Sequence, residues 1–235
     1  MSKQVLIVGG TSGIGRELAA TYARQGASVI IAGRDSARAE KIAAEINTEV
    51  NSTHYVRGIQ ADLSRPEILK DALSGIEHID SIVLTGMRRD NNTIAAYDIA
   101  GATELAIAKI VGYTTVVHTL RSRISPTGSV LLFGGLAKDV PYPGSTTVTT
   151  VNAGVTGLVA TLAKELAPVR VNAIHPGMVG DSPYWAGNQP AVEAARARIL
   201  TGAVPTMRDI VEGSVFLLEN PAANGVNLDL NGGHA

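Results

Sequence analysis

The stretch VLIVGGTSGIGREL, Val5–Leu18, decides the fold. Its apolar run Val5–Val8 is rich in β-branched residues and too short for a membrane span or a signal peptide, so it reads as a buried strand. Gly9, Gly13 and Gly15 follow, and helical spacing sets in over Gly13–Gln25. Glycine opens backbone angles closed to other residues, and its missing side chain lets an anion reach the free N–H groups at a helix start. A strand, a glycine-rich turn and a helix in that order predict a dinucleotide site.

Beyond this stretch, short apolar runs recur at Ser28–Ala32, Ile79–Leu84, Ser129–Phe133, Val169–Ile174 and Val226–Leu230. Between them lie helical patterns at Ala37–Asn47, Pro66–Leu73, a long one within Ala102–Arg123, Val148–Leu166, Ala191–Leu200 and Arg208–Leu218. Strands alternating with helices predict an α/β protein, a parallel sheet covered on both faces in three α/β/α layers. No repeat or linker divides the 235 residues, so one domain over residues 1–235 is expected. The segment Asp181–Pro205, rich in Pro, Gly and small residues, is the one long irregular insertion and is expected to form a substrate lid.

Lys and Arg number 20 against 21 Asp and Glu, with no basic cluster, so neither nucleic acid nor a membrane surface is an expected partner. A small-molecule substrate is. The absence of cysteine removes disulfides and thiolate chemistry and suits a reducing cytoplasm. The five histidines do not fall at metal-ligand spacings, and no metal is expected.

The second strand ends in VIIAGRD. Where a dinucleotide site for NAD usually places an acidic residue against the ribose 2′-hydroxyl, this chain has Gly33 and then Arg34. A guanidinium suits a 2′-phosphate, so NADP(H) is expected over NAD(H), with Arg16 and Arg38 able to add to the same field.

With these pieces in place the sequence resembles the short-chain dehydrogenase/reductase family over nearly its whole length. The likeness is carried by GGTSGIG, by Ala61-Asp62-Leu63, by His78-Ile79-Asp80 before the fourth apolar strand of that family, by VRVNAIHPGMV (Val169–Val179) and by LDLNGG near the C-terminus. The resemblance implies a Rossmann-like, doubly wound sheet, hydride transfer between NAD(P)(H) and a carbonyl or alcohol, and a homotetramer or homodimer. It places the nucleotide against Gly9, Thr11, Ser12, Gly13, Ile14, Gly15, Asp62, Leu63, Thr85, Gly86, Pro176, Gly177 and Val179.

The family's chemistry rests on an Asn, Ser, Tyr and Lys, and none of the four carries over. Matching VNAGVTGLVATLAKEL to the family's helix puts Val148 at the tyrosine position and Asn152 at the lysine position. Gly135 stands where the serine belongs and Lys109 where the asparagine belongs. Asn and Lys have thus changed places between two helices, so Lys109 is expected to bring its ammonium toward the vacated lysine site or to extend outward. His175, beside Pro176-Gly177, and Tyr142, in PYPG, are further candidates for assisting the chemistry, with Lys109 and Asn152. Ser145, Thr146 and Thr147 offer hydroxyls or a helix cap, Tyr184 and Trp185 give the lid an aromatic surface, and Asp181-Ser182 stands near the family's carboxamide-contacting threonine. Three functions fit: an oxidoreductase with a non-standard active site, a dinucleotide-binding sensor or oligomer partner without catalysis, or a reductase of substrates activated enough to need little acid help, such as imines and quinones.

Overall fold

A computed structural model of the protein describes residues 2–51, 55–86 and 91–233. Seven strands form one wholly parallel sheet in the order β3-β2-β1-β4-β5-β6-β7: β1 Gln4–Val8, β2 Ser28–Gly33, β3 Val56–Gln60, β4 Ile79–Leu84, β5 Ile124–Phe133, β6 Arg170–Pro176 and β7 Asn227–Leu230. Side chains alternate along a strand, so a sheet covered on both faces needs continuous apolar runs. In β1, Val5 and Ile7 enter one core while Leu6 and Val8 enter the other; in β5, Leu131 and Phe133 oppose Val130 and Leu132 in the same way.

Helices α1 (Gly13–Arg24), α2 (Ser36–Val50) and α8 (Met207–Glu219) cover one face. The other carries α3 (Pro66–Ala72), α5 (Tyr113–Leu120) and α6 (Thr146–Glu165). Helix α4 (Ile99–Ala106) runs into α5 through a π-helical turn, Ile107–Gly112, and α7 (Gln189–Arg196) lies in the 181–205 segment.

The expected architecture is the one observed, with one strand added. Edge strand β3 has no apolar run because only Val56 of its five residues is fully buried. Gly58 brings the backbone of α2 onto the strand instead: a β-carbon there would stand 2.2 Å from the Ala39 carbonyl carbon. The 181–205 segment is also more ordered than expected. Asn188 caps α7, Gly180 N–H donates to Pro205 O (2.9 Å), and Leu200 and Thr201 N–H donate to Gly233 and Gly232 O (3.1 Å each).

Candidate active site

At the end of β1 the chain folds back on itself so tightly that side chains are excluded. Gly9 and Gly13 have φ of 96° and 52°, angles that other residues adopt only under strain. A β-carbon on Gly15 would lie 2.3 Å from Gly9 O, and one on Gly9 would lie 2.4 Å from Thr85 Oγ1 and 2.5 Å from Gly86 N. Val8 O accepts from both Thr85 N–H (2.9 Å) and Gly86 N–H (3.1 Å), joining this turn to the end of β4. Ser12, at the N-cap of α1, makes no side-chain capping bond, and the helix's first turn carries no acidic residue. Free amide dipoles beside a groove shaped by missing β-carbons fit a diphosphate.

The turn is also tied to the end of β2, since a β-carbon on Gly33 would stand 2.9 Å from Thr11 Cγ2. Arg34 beyond it is exposed, its carbonyl accepting from Gln60 Nε2 (3.0 Å), and no carboxylate among the described residues pairs with its guanidinium. Arg16 is ion-paired with Glu49 of α2 and, at 3.7 Å, with Glu17. Arg38 gives its backbone N–H to the Asp35 cap of α2 (2.6 Å). Asp62 closes its own turn by accepting from Ser64 N–H (3.0 Å) and Ser64 Oγ (2.7 Å). Leu63 lies against Gly86 on one side and the π turn on the other, where a β-carbon on Gly112 would be 2.3 Å from Leu63 O.

At the ends of β5 and β6 a second corner forms around His175, which is wholly buried. Its Nδ1 accepts from Gly135 N–H (3.3 Å) and its Nε2 pairs with Asn227 Oδ1 (2.9 Å), an acceptor, which places the ring proton on Nε2. Burial, and then the nearby Lys138 and Lys109 charges, hold its pKa below the ordinary histidine value against the opposing Asn227 bond and Asp229. Gly134 must be glycine, because a β-carbon there would meet His175 Nδ1 at 2.0 Å. His175 is therefore a neutral ring with both nitrogens occupied. Gly177 N–H reaches Leu230 O (3.2 Å), Pro176 ends β6, and Val179 is buried.

Asn152 and Val148 rise from α6 beneath this corner. The Asn152 amide takes the space a side chain at residue 135 would need, with Nδ2 2.8 Å from a β-carbon built on Gly135. Its Oδ1 is buried without a hydrogen-bond partner. Val148 is 5% exposed and packs in an apolar cluster with Leu105, Ala137 and Val151. Lys109 lies in the π turn at 1% exposure, so it does not extend outward; its Nζ sits 5.4 Å from the Tyr113 ring centroid, a cation–π contact along its own helix. Sequence reasoning missed Tyr113 itself, whose buried hydroxyl donates to Gly86 O (3.3 Å) and whose pKa burial pushes up. Its signal was the four-residue spacing from Lys109 on one helix face.

The remaining candidates lie apart from this corner's buried groups. Tyr142 is 51% exposed. Ser145 accepts from Tyr142 N–H (3.0 Å), donates to Tyr142 O (2.7 Å) and meets Thr149 Oγ1 (2.9 Å), closing the loop rather than capping α6; Thr147 meets Asn92 Nδ2 (3.4 Å). Asp181 accepts from Met207 N–H (2.7 Å) and Ser182 donates to Val179 O (2.7 Å), so both serve the loop. Tyr184 and Trp185 pack edge to face with centroids 4.7 Å apart, and Pro183 lies over the glycine turn, 3.7 Å from a β-carbon position on Gly13. Among the described residues no helix is long and apolar enough to cross a membrane, and no group of three His, Asp or Glu could hold a metal.

Residues 3–191 match the short chain dehydrogenase family. The chain belongs to the short-chain dehydrogenases. This family binds nicotinamide cofactors, and its curated relatives here are oxidoreductases. Carbonyl reductase family member 4 of Danio rerio is 26% identical over 240 residues, covering 99% of this chain and 98% of the relative. The short-chain dehydrogenase/reductase malC of Malbranchea aurantiaca is 27% identical over 252 residues, 98% of this chain and 94% of that one. A solved structure described as the MalC reductase/Diels-Alderase of that organism superposes with a TM-score of 0.90 at 27% identity, covering 99% of this chain and 95% of the other. This short-chain dehydrogenase thus has its family's sheet order and a glycine cradle of suitable shape.

Proposed function

We propose that the protein is an NADP(H)-dependent short-chain oxidoreductase acting on a small carbonyl or alcohol or, as the site favours, on an activated imine or quinone, with a non-standard active site. One observation carries this reading: the position that the family resemblance gives to the proton-donating tyrosine is Val148, walled in by Leu105, Ala137 and Val151. A hydrocarbon wall neither gives a proton nor steadies a developing alkoxide. The site therefore suits an acceptor that is already electron-poor.

When bound, the dinucleotide supplies or takes up the hydride. Gly9, Thr11, Ser12, Gly13, Ile14 and Gly15 would hold its diphosphate with backbone N–H groups, Asp62, Leu63, Thr85 and Gly86 its adenosine side, and Pro176, Gly177 and Val179 the nicotinamide side. Arg34, exposed and without a carboxylate partner among the described residues, would take a 2′-phosphate. The apolar cluster excludes water from the reacting centre, and neutral His175 holds the Gly134-Gly135 corner in place without donating its proton. Lys109 contributes a buried positive charge felt at His175. A second reading, a dinucleotide sensor without catalysis, draws on the same hydrocarbon wall and on Pro183 resting over Gly13.

The test is calorimetric titration of NADPH and NADH, followed by NADPH oxidation against size-matched ketones, cyclic imines and quinones. NADPH is expected to bind about tenfold tighter than NADH, with Arg34→Ala abolishing the difference. Imines and quinones should turn over at least about a hundredfold faster than simple ketones. Tight NADPH binding with no turnover of any compound would leave the sensor; no affinity for either nucleotide would end both readings.

A further inference from the structure

Strands β2 and β3 pair as far as Gly33 and Gln60, one residue short of Arg34. Up to that point the backbone of β2 is held from both sides: Ala32 O accepts from Gly9 N–H (2.8 Å) and Gly33 O accepts from Ala61 N–H (2.8 Å). Arg34 lies past the last rung, and a side chain takes hold of its carbonyl. Gln60 Nε2 donates to Arg34 O (3.0 Å), so the carboxamide extends the ladder by one peptide beyond the strand.

Two peptide planes meet at each α-carbon, and once both are fixed the direction of its side chain is fixed at the root. At Arg34 the plane before the α-carbon is held by Ala61 and the plane after it by Gln60. The neighbours on either side are equally committed. Gly33 abuts Thr11 of the glycine turn, and Asp35, the next carboxylate in the chain, caps α2 by accepting from Arg38 N–H (2.6 Å). The Arg34 side chain is exposed and makes no ion pair among the described residues, Asp35 included. Its guanidinium therefore has a fixed root and a free head. A long side chain with a fixed root loses less freedom when it closes on an anion, and a two-pronged guanidinium–phosphate contact is sensitive to angle as well as to charge.

We propose that Gln60 is a positioning residue for recognition of the 2′-phosphate: by holding the Arg34 carbonyl it aims the guanidinium beside the glycine turn, and so strengthens the preference for NADPH over NADH without touching either nucleotide. The proposal rests on the NADP(H) reading above and assigns a residue that acts through Arg34. NADH carries a hydroxyl where NADPH carries the phosphate, so it gains little from a well-aimed guanidinium and loses little when the aim is lost.

The experiment is a double-mutant cycle read by calorimetry with NADPH and with NADH, on the wild type, Gln60→Met, Arg34→Ala and the two together. Methionine keeps the length of the side chain and removes the donor. Q60M is expected to bind NADPH about fivefold more weakly, with NADH affinity constant within about twofold. In the R34A background the same substitution should change NADPH affinity by less than about twofold, because no guanidinium is left to aim. Equal losses for the two nucleotides would overturn the proposal, making Gln60 a support of the whole site. Unchanged NADPH affinity in Q60M would overturn it too, as would a loss of the same size with and without Arg34. If the wild type shows no preference for NADPH, or R34A leaves the preference intact, the NADP(H) reading falls and the role of Gln60 with it; a preference that needs Arg34 but ignores Gln60 removes the role of Gln60 alone.

Discussion

The two corners at the C-terminal edge of the sheet are closed by different materials. Around Gly9 and Gly15 most of the close approaches are to backbone, Gly15 to the Gly9 carbonyl and Gly9 to the Gly86 amide, with the Thr85 hydroxyl beside them. Around Gly135 the close approach is to a side chain, Asn152, and the neighbouring volume is filled by Val148, Leu105, Ala137 and Val151. A backbone contact leaves no residue that could shrink to make room. A side-chain contact leaves one on each side, so the second corner can trade residues in concert while the first cannot change. That difference leaves the residues of the second corner freer to change together than those of the glycine turn.

Three measurements would break or sharpen the contrast. Gly15→Ala should have the largest effect, costing about 3 kcal/mol of stability and lowering NADPH affinity about a hundredfold or more, as read by denaturant unfolding and calorimetry. A well-folded, NADPH-binding G15A protein would show that the first corner is softer than its contacts imply. Next, Gly135→Ala alone should cost about 2 kcal/mol, but less than about 1 kcal/mol in an Asn152→Ala background, because the new methyl then enters vacated space. Additive costs in that double-mutant cycle would mean the two residues do not share the volume.

The smallest effect is a pH slope. His175 has a folded-state pKa below its unfolded value of about 6.5, so the unfolded chain binds the extra proton first. Stability from this group is complete above that pH and declines as pH falls through it, by at most about 1.4 kcal/mol per unit, because protonating Nδ1 removes the acceptor for Gly135 N–H. His175→Asn should flatten the slope between about pH 7 and 5 in thermal melts. Asp209 acts in a lower window: Thr206 holds its carboxylate below the usual range, so its contribution fades only as pH drops under about 4.

The sheet was legible because a strand buried on both faces carries a continuous apolar run, as Val5–Val8, Val29–Ala32, Ile82–Leu84 and Val130–Phe133 do. Edge strand β3 escaped notice for the converse reason, since α2 touches it through Gly58 and its Arg57 is exposed. The glycine turn was legible because positive φ and excluded β-carbons write themselves as glycine. The second corner was only half legible. Sequence alignment could say which residues stand in Val148, Asn152, Gly135 and Lys109 positions, but not that Lys109 lies over Tyr113, or that His175 is enclosed between Gly135 and Asn227. Those facts depend on side-chain directions set by a π turn and by a partner 52 residues downstream, which no local spacing encodes. The ion pair of Arg16 with Glu49 was hidden for the same reason.

The π turn at Ile107–Gly112 amounts to one surplus residue wound into an otherwise regular rod. Winding the same residues as plain α-helix, with none removed, would swing everything beyond the turn by about 100° about the axis, because the wide turn is what absorbs the surplus residue. Tyr113 would lose Gly86, and Gly112 would leave the carbonyl of Leu63. The irregular turn is thus a clutch between two stretches of helix, and the seating of Tyr113 on Gly86 and of Gly112 on Leu63 depends on its staying wide.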